Sequence, residues 1–196
     1  MGSDGSVAQY YPLTDRQKRY QKIKRAMDFV LALLALLVLA LPLLAVALLQ
    51  KLTSPHEPVL FRQERVGQNG ERFTIVKFRS MEDGAQGQIS RFGRFLRDTS
   101  IDELPQLCQV LTGKMSLVGP RPLVPQEEEI HQMRRDSGVY QLRPGLTGLA
   151  QINGRDKLGA AEKAAYDRQY LEGMSLVLDM KILWITIRKV LTCADV

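Results

Sequence analysis

The sequence is poor in the residues that build metal centres and disulfide frameworks. It contains two cysteines, Cys108 and Cys193, and two histidines, His56 and His131. The cysteines have no motif spacing and the histidines are few, so the sequence gives no basis for a disulfide framework or for a zinc site. Neither histidine has a plausible serine or cysteine partner, so a Ser-His-Asp type of triad is unsupported. Cysteine usage of this kind predicts a reducing, cytoplasm-facing environment.

The sequence also lacks the glycine-rich loops that commonly bind phosphate, because neither GxxxxGK[ST] nor GxGxxG occurs in it. Positive charge, by contrast, is in excess, with a net charge of +6 at pH 7. This excess indicates an anionic partner, which could be a nucleic acid, anionic lipid headgroups or a phosphorylated substrate. A bound phosphate would have to be held by arginines, by a metal ion or by a helix N-terminus.

One long apolar segment lies near the start of the chain. Residues 29–49, FVLALLALLVLALPLLAVALL, contain no polar side chain. As a helix the segment would be about 31 Å long, enough to cross the hydrocarbon core of a bilayer. It is too long for a signal peptide, and no small-residue cleavage site follows it. Length alone therefore favours a membrane-spanning anchor.

Two features of this segment favour a re-entrant helix as strongly as a span. Both flanks are basic, and positive charge marks the cytoplasmic side of a membrane protein. Pro42 removes a backbone hydrogen bond inside the run and favours a kink that would return the chain to the same side. At the entrance, Asp28 needs an interfacial position or a cationic partner such as Lys24 or Arg25. The basic residues before the run are Arg16, Lys18, Arg19, Lys22, Lys24 and Arg25, and those after it are Lys51, Arg62 and Arg65.

A β-hairpin is predicted directly after the membrane segment. Residues 59–67 and 73–78 are rich in β-forming side chains, and the Asn69-Gly70 pair between them is a strong turn signal. Further along, residues 140–155 are dense in glycine and proline and are long for a plain connection. We expect them to form a binding loop.

Two amphipathic helices are predicted, over residues 91–98 and 175–191, and a polar loop over residues 82–90. Both helices carry apolar side chains on one face and charged ones on the other. Packing into a protein core and lying at a membrane interface fit each helix equally well.

The stretch SIDELPQL contains two adjacent carboxylates, Asp102 and Glu103. In a structural interpretation they start a helix, either through a capping box between Ser100 and Glu103 or with Asp102 as the N-cap and Pro105 in the first turn. In a functional interpretation the helix N-terminus keeps both acids ionised, and adjacent acids suit Mg²⁺ that arrives with a phosphate-bearing substrate. A carboxylate is also a competent nucleophile on phosphorus. Diphosphate chemistry would further need cations, for which the candidates are Lys77, Arg121, Arg143 and Arg155.

Six ordered motifs in residues 24–191 resemble those of a known family. They are KRAMDF, KFRSM, SIDELPQL, MSLVGPRP, RPGLTGLAQINGR and LDMKIL. With them the chain resembles the bacterial sugar transferases, which are monotopic phosphoglycosyl transferases that act on polyprenyl phosphate, and in length it resembles a small member or an isolated catalytic domain. The resemblance implies transfer of a sugar 1-phosphate from a UDP-sugar to undecaprenyl phosphate with release of UMP, as the first membrane step of glycoconjugate biosynthesis. It implies Mg²⁺ as cofactor, and it does not imply a nucleic-acid partner.

The resemblance also implies roles for particular residues. Asp102 matches the nucleophilic aspartate and a metal ligand, Glu103 matches the magnesium-ligating neighbour, and Arg121 matches a phosphate-binding arginine. Further polar positions of the site correspond to Lys77, Arg155 and Asp167, with Arg79 and Arg143 as additional candidates.

Two positions depart from the family pattern. Leu41 stands where a serine often precedes Pro42, and Leu149 replaces a common tryptophan.

The fold expected from these features is α/β, of a helix-rich α+β type, in three parts. Residues 1–15 would be a polar tail, of which the first six are typical of an expression-vector remnant. Residues 16–51 would be the basic-flanked re-entrant membrane helix, and residues 52–196 a small cytoplasmic catalytic domain with a short β-hairpin and interfacial helices. The expected location is the cytoplasmic face of the bacterial inner membrane. Two alternatives are a nucleotide-sugar hydrolase that uses the same acids, and a non-catalytic basic module that binds a membrane.

Overall fold

The computed structural model of the protein describes residues 12–81 and 89–192. Most of the predicted polar tail, and most of the loop predicted over residues 82–90, therefore lie outside the described residues. The seven α-helices described are α1 Asp15–Thr53, α2 Arg91–Asp98, α3 Leu107–Leu111, α4 Glu128–Asp136, α5 Leu149–Ile152, α6 Ala160–Gly173 and α7 Leu176–Thr192. Single 3₁₀ turns occur at Gln68–Gly70, Ile101–Gln106, Val139–Gln141 and Arg155–Lys157.

The helix predicted over the apolar run is confirmed as α1, with 39 residues. It begins at a capping box in which the Thr14 side chain accepts from the Gln17 amide at 3.3 Å and the Gln17 side chain accepts from the Thr14 amide at 2.8 Å. The helix is continuous through Pro42, so the kink predicted there is not accompanied by a break. Its apolar side chains remain largely exposed, and by length and composition the helix could cross a membrane.

The predicted hairpin is also confirmed. β1 Leu60–Val66 and β2 Arg72–Phe78 pair antiparallel, with Phe61 opposite Lys77. The turn uses the Asn69-Gly70 pair, whose φ angles are 57° and 77°. Asparagine and glycine tolerate this left-handed region best, which explains why the signal was readable from the sequence.

A second, parallel pair of strands was not predicted. β3 Ser116–Val118 and β4 Gly145–Thr147 lie in the middle of the core, and β4 falls within the segment predicted to be a binding loop. The backbones approach so closely that a Cβ atom on Gly145 would lie 2.1 Å from the Gly119 nitrogen. Glycine is therefore required at this position, because any side chain would displace the neighbouring backbone.

The core lies between α1, α3, β3, α6 and α7, and its fully buried apolar residues are Ala32, Val110, Met115, Val118 and Ile182. Both amphipathic predictions are confirmed as helices with one packed face. In α7, Ile182 is buried while Val177 and Trp184 are 79% and 66% exposed. In α2, Leu96 is buried and Phe95 is 52% exposed. The helix-rich α+β prediction is thus confirmed.

Polar contacts attach both ends of α1 to the rest of the protein. Near its start, the ammonium of Lys24 pairs with the buried carboxylate of Asp179 at 2.5 Å and lies 3.6 Å from Asp28. Asp28 in turn accepts from the Ser116 hydroxyl at 2.7 Å, so the predicted need for a cationic partner at the helix entrance is met by Lys24. Near the end of α1, the Gln50 side chain donates to the backbone carbonyl of Arg79.

Candidate active site

The adjacent acids lie in the 3₁₀ turn Ile101–Gln106, which leads into α3. The turn follows Ser100, whose φ and ψ of 52° and 18° are left-handed, and the Ser100 side chain makes no capping hydrogen bond. Both capping interpretations are therefore wrong. Ser100 does not reach the Glu103 amide with its side chain, and Asp102 lies inside the turn rather than at its start. A left-handed residue that is not glycine stores backbone strain, which is common at functional sites.

Glu103 is held by two arginines from distant parts of the chain. Its Oε1 atom accepts from Arg121 Nη2 at 2.9 Å and from Arg155 Nη2 at 3.4 Å. Burial raises the pKa of Glu103, but the charge and hydrogen bond of Arg121, assisted by Arg155 and Lys77, outweigh burial and hold the pKa below its usual range. Glu103 is therefore ionised at neutral pH.

Asp102 has a different environment although it is the next residue. It is 5% exposed. Burial, followed by the charge of Glu103, raises the pKa of Asp102 to about 6, against the opposing charges of Lys77, Arg97 and Arg155. Neighbouring carboxyl groups with separated pKa values are typical of sites in which two acids have different tasks.

Lys77 and Arg97 are two further cations whose charges act on Asp102. Lys77 is half-buried on β2. Burial lowers its pKa, and the charges of the two acids oppose this only in part, so the pKa of Lys77 lies below its usual value. Its ammonium lies 5.6 Å from the ring centroid of Phe61. Arg97 lies on α2, where its Nε donates to the Ser80 hydroxyl at 2.8 Å. Arg97 was missed from the sequence, because nothing distinguishes it from the other arginines of an amphipathic helix.

The backbone at Arg121 is held from behind by a buried ion pair. Arg134 Nη1 donates to the Arg121 carbonyl at 2.8 Å, while its Nε and Nη2 donate to Asp167 Oδ2 at 2.9 and 2.6 Å. Both partners are buried, with 4% and 2% of their side chains exposed. The structure therefore places Asp167 against Arg134 and not against the acid pair. Arg134 was missed because its partner lies 33 residues away in the sequence.

The remaining candidates are divided between the site and its surroundings. Arg155, which has a positive φ of 50°, contacts Glu103 directly. The guanidinium of Arg79 lies 5.9 Å from the Phe61 centroid, the same ring that faces Lys77. Arg143 lines a separate cavity of about 20 Å³ beside Lys24 and Asp28. The roles that the resemblance implies for these residues stay predictions.

Two cavities of opposite character lie beside Glu103 and its arginines. The first has a volume of about 180 Å³, and the charged side chains that line it are Arg65, Arg121, Arg134, Arg155, Lys163 and Glu127. The second has a volume of about 380 Å³ and an almost wholly apolar lining. Its walls come mainly from α7, through Leu183, Ile187 and Val190, and from residues 99–104, while α1 contributes Leu39. Its charged lining residues are Glu103, Arg155 and Lys189.

The acid pair has the chemistry of a partial magnesium site. Among the described residues no group of three or more Asp, Glu, His or Cys side chains is arranged to hold a metal ion. Mg²⁺ in phosphate-transferring enzymes is nonetheless usually bound by one or two carboxylates, with substrate phosphates and water completing its shell. Asp102 and Glu103 supply this smaller set, so they fit a metal ion that binds together with a phosphorylated substrate.

Comparison with known proteins places the chain in a family. A sequence model described as bacterial sugar transferase matches residues 19–193. A UDP-glucose:undecaprenyl-phosphate glucose-1-phosphate transferase of Caulobacter vibrioides is 45% identical over 187 residues, which cover 86% of this chain and 70% of that protein. The protein of the same name from Escherichia coli is 42% identical over 185 residues, or 85% of this chain and 40% of that protein.

A third relative has another sugar in its name. The UDP-N-acetylgalactosamine-undecaprenyl-phosphate N-acetylgalactosaminephosphotransferase of Aeromonas hydrophila is 40% identical over 191 residues, which cover 88% of this chain and 44% of that protein. The chain thus spans less than half the length of the Escherichia coli and Aeromonas relatives. The match over residues 19–193, which is most of the chain, shows that the chain belongs to the bacterial sugar transferase family.

Proposed function

We propose that this protein transfers a sugar 1-phosphate from a UDP-sugar to undecaprenyl phosphate at the membrane and releases UMP. The observation that carries the proposal is the pairing of Glu103 with Arg121 and Arg155 directly beside the buried carboxyl of Asp102. Relatives named for UDP-glucose and for UDP-N-acetylgalactosamine support the class of donor, and their names share undecaprenyl phosphate as acceptor. They leave the sugar of this chain open.

The chemistry proposed for Asp102 has two steps. In the first, a carboxylate oxygen of Asp102 attacks the phosphorus that carries the sugar, and the bond from this phosphorus to the oxygen bridging the two phosphates breaks, so that UMP leaves. In the second, a phosphate oxygen of the acceptor attacks the same phosphorus and the carboxylate is regenerated. A pKa of about 6 leaves Asp102 mostly ionised at neutral pH, as a nucleophile requires.

Cations around the acids would stabilise the charge that develops on the transferred group. Arg121 and Arg155 are fixed by Glu103, and preorganised donors of this kind stabilise a transition state without reorganising during the reaction. Lys77, on the Asp102 side, is placed to neutralise the same group. Mg²⁺, which Asp102 and Glu103 would hold, supplies further neutralisation of the diphosphate when bound.

The proposal includes a re-entrant α1 at the cytoplasmic face of the inner membrane. Lys24 and Gln50 are about 39 Å apart in a straight helix, yet both contact the same domain, through Asp179 and the Arg79 carbonyl. The apolar run lies between these contacts and is exposed. A helix that crossed the whole membrane would carry one of its ends away from the domain. The contacts and the basic flanks therefore favour a helix that enters the cytoplasmic leaflet and returns.

The test is the release of UMP from a panel of UDP-sugars, with and without undecaprenyl phosphate. We expect continuous release with the acceptor and a single turnover without it. Continuous release without the acceptor would instead identify a nucleotide-sugar hydrolase. A non-catalytic membrane module would release no UMP from any donor, and its binding to anionic vesicles would weaken uniformly with salt.

A further inference from the structure

A short segment separates the two cavities beside Glu103. It consists of α5 and the turn after it, residues 149–157. Ala150 lines the cationic cavity and Ile152 lines the apolar one, while Gln151 and Arg155 line both. The segment is therefore a wall with a charged side and an apolar side, and Arg155 belongs to both sides.

The cationic cavity is built for an anion. Glu103 pairs with both Arg121 and Arg155, and Asp167 pairs with Arg134, so these three arginines share two carboxylates. Arg65 donates instead to two neutral groups, the Pro122 carbonyl at 3.3 Å and the Gln63 side chain at 2.6 Å. Burial, and then the charge of Arg121, lowers the pKa of Arg65 against the opposing charges of Glu127 and Glu103.

The size of the cationic cavity limits what it can enclose. Its volume of about 180 Å³ is smaller than the ~300 Å³ at which pockets for whole ligands begin. Two linked phosphates match both this volume and the charge of the lining. An isoprenoid chain matches neither.

The apolar groove has the opposite properties. At about 380 Å³ it is the larger of the two, and it lies between α1, through Leu39, and α7, through Leu183, Ile187 and Val190. Its α1 residue, Leu39, has exposed apolar neighbours along the helix, Val38 and Leu41, and a lipid would enter from this surface. The charged residues of its lining are Glu103, Arg155 and Lys189, and at Arg155 a single phosphate headgroup would meet a cation.

We propose that the donor's diphosphate binds in the cationic cavity and the acceptor's isoprenoid chain in the apolar groove, on opposite sides of residues 149–157. This inference rests on the function proposed above and adds where each substrate lies. Arg155 is the cation that lines both cavities. It can therefore stay in contact with the sugar phosphate while that group moves from the donor to the acceptor. Substitutions in one cavity should then affect one substrate only.

The donor side is tested with Lys163→Gln, which removes a half-buried charge from the cationic lining. We expect the KM for the UDP-sugar to rise about tenfold, as for the loss of one charge-assisted contact, and the KM for the acceptor to stay within about twofold. Inhibition by added UMP should weaken in parallel. Lys114→Gln, which removes an exposed charge outside the cavity, is the matched control and should change neither constant.

The acceptor side is tested with Ile187→Asp and its control Val177→Asp. Both residues are exposed on α7, at 52% and 79%, so both variants should fold and both lose apolar contact with the membrane. Only Ile187 lines the groove. We expect Ile187→Asp to raise the KM for undecaprenyl phosphate at least tenfold, because a charge opposes burial of the chain, and to leave the single turnover without acceptor unchanged.

A direct readout uses a prenyl phosphate that carries a diazirine on its chain. It should crosslink to α7 between residues 183 and 191, and excess undecaprenyl phosphate should prevent the labelling. Crosslinking only to residues that do not line the groove, or equal effects of Ile187→Asp and Val177→Asp, would overturn the inference about the groove. A raised acceptor KM in Lys163→Gln would overturn the inference about the cationic cavity. If the parent enzyme releases no UMP with any donor, the proposed function itself is wrong.

Discussion

Arg134 donates a hydrogen bond of 2.8 Å to the backbone carbonyl of Arg121, and the carboxylate of Asp167 fixes the guanidinium that makes it. Arg121 is flanked by Pro120 and Pro122, so its backbone has little freedom of its own. The side chain that contacts Glu103 is therefore positioned from behind by a buried ion pair. From this relationship we predict that Asp167 positions Arg121 and does not itself contact the substrate.

Replacing Asp167 with Asn should reduce both stability and activity. The free energy of unfolding should fall by about 3 kcal/mol, because removing one partner leaves the Arg134 charge buried and unpaired. The value of kcat should also fall, through displacement of Arg121. A double-mutant cycle with Arg121→Ala tests whether Asp167 acts through Arg121. If it does, the Asp167→Asn substitution should cost little further activity in the Arg121→Ala background. Additive losses would instead indicate that Asp167 contacts the substrate.

Replacing Arg121 with Lys should reduce activity on the order of 10²-fold although the charge is kept. Arginine offers a planar fork that can hold Glu103 and a phosphate oxygen together, whereas lysine offers a point charge. Arg62→Lys, at an exposed position of β1, is the control and should be fully active. Steady-state rates with saturating donor and acceptor make the comparison, and a loss of only a few-fold would show that the fork is not used.

Replacing Asp102 with Asn should abolish turnover. Parent enzyme incubated with UDP-sugar and Mg²⁺ but no lipid should release UMP once and gain the mass of a sugar phosphate on a peptide that contains Asp102. The variant should do neither, because an amide is a poor nucleophile. An adduct on another residue, or transfer without any adduct, would leave Asp102 as a metal ligand only.

The same Asp102→Asn variant should be at least as stable as the parent in the absence of metal. The folded-state pKa of Asp102 is raised from 3.8 to about 6, so the folded state resists ionisation more than the unfolded state does. The free energy of unfolding of the parent, minus that of the variant, should therefore decline as pH rises from about 4 to about 6 and then remain constant. Denaturant unfolding in EDTA at several pH values measures this difference. A variant that is less stable than the parent at pH 8 would contradict the burial argument.

Glu103→Gln should leave the adduct on Asp102 but slow its formation and raise the magnesium requirement. Glu103 also holds Arg121 and Arg155, and a neutral amide binds both of them more weakly. The rate of the first turnover, measured over a range of magnesium concentrations, shows the effect. Loss of the adduct altogether would contradict the prediction that Glu103 assists the first step without being required for it.

Local patterns in the sequence were sufficient for α1, for the hairpin and for both amphipathic helices. Each depends on neighbouring residues, such as the apolar run or the Asn69-Gly70 turn. The structure also brings Lys77, Arg121 and Arg155 around the acids. Only the family motifs indicated that these distant positions belong together, and their roles in the reaction stay predictions.

The features that were missed depend on contacts between residues far apart in the sequence. β3 and β4 have three residues each, too few for a periodic pattern. The Asp28–Ser116 hydrogen bond joins residues 88 positions apart, and no local sequence pattern indicates the Arg134–Asp167 pair either. The capping interpretation failed because Ser100 adopts a left-handed conformation, which a serine seldom adopts and which no sequence rule indicates.

The topology of α1 is tested with single cysteines at positions 18 and 53, introduced after Cys108 and Cys193 are replaced by serine. Lys18 and Thr53 are exposed and lie near the two ends of the helix. In intact cells both introduced cysteines should react only with a reagent that crosses the membrane, because a re-entrant helix keeps both ends in the cytoplasm. Labelling of either position by an impermeant reagent would establish a span.

Pro42→Leu in the same two backgrounds should convert part of the population to a span. It restores the backbone donor and continues the apolar pattern, so a straight helix becomes more favourable. A straight α1 that crosses the membrane cannot keep both the Lys24–Asp179 pair and the Gln50 contact with the Arg79 carbonyl. We therefore expect the cysteine introduced in the Thr53→Cys background to become accessible from the periplasm in a fraction of molecules, with a matching loss of UMP release. Leu41→Ala, at the neighbouring exposed position, is the control and should change neither. If Pro42→Leu leaves labelling and activity unchanged, the re-entrant topology depends on the contacts at the two ends of α1 and not on the proline.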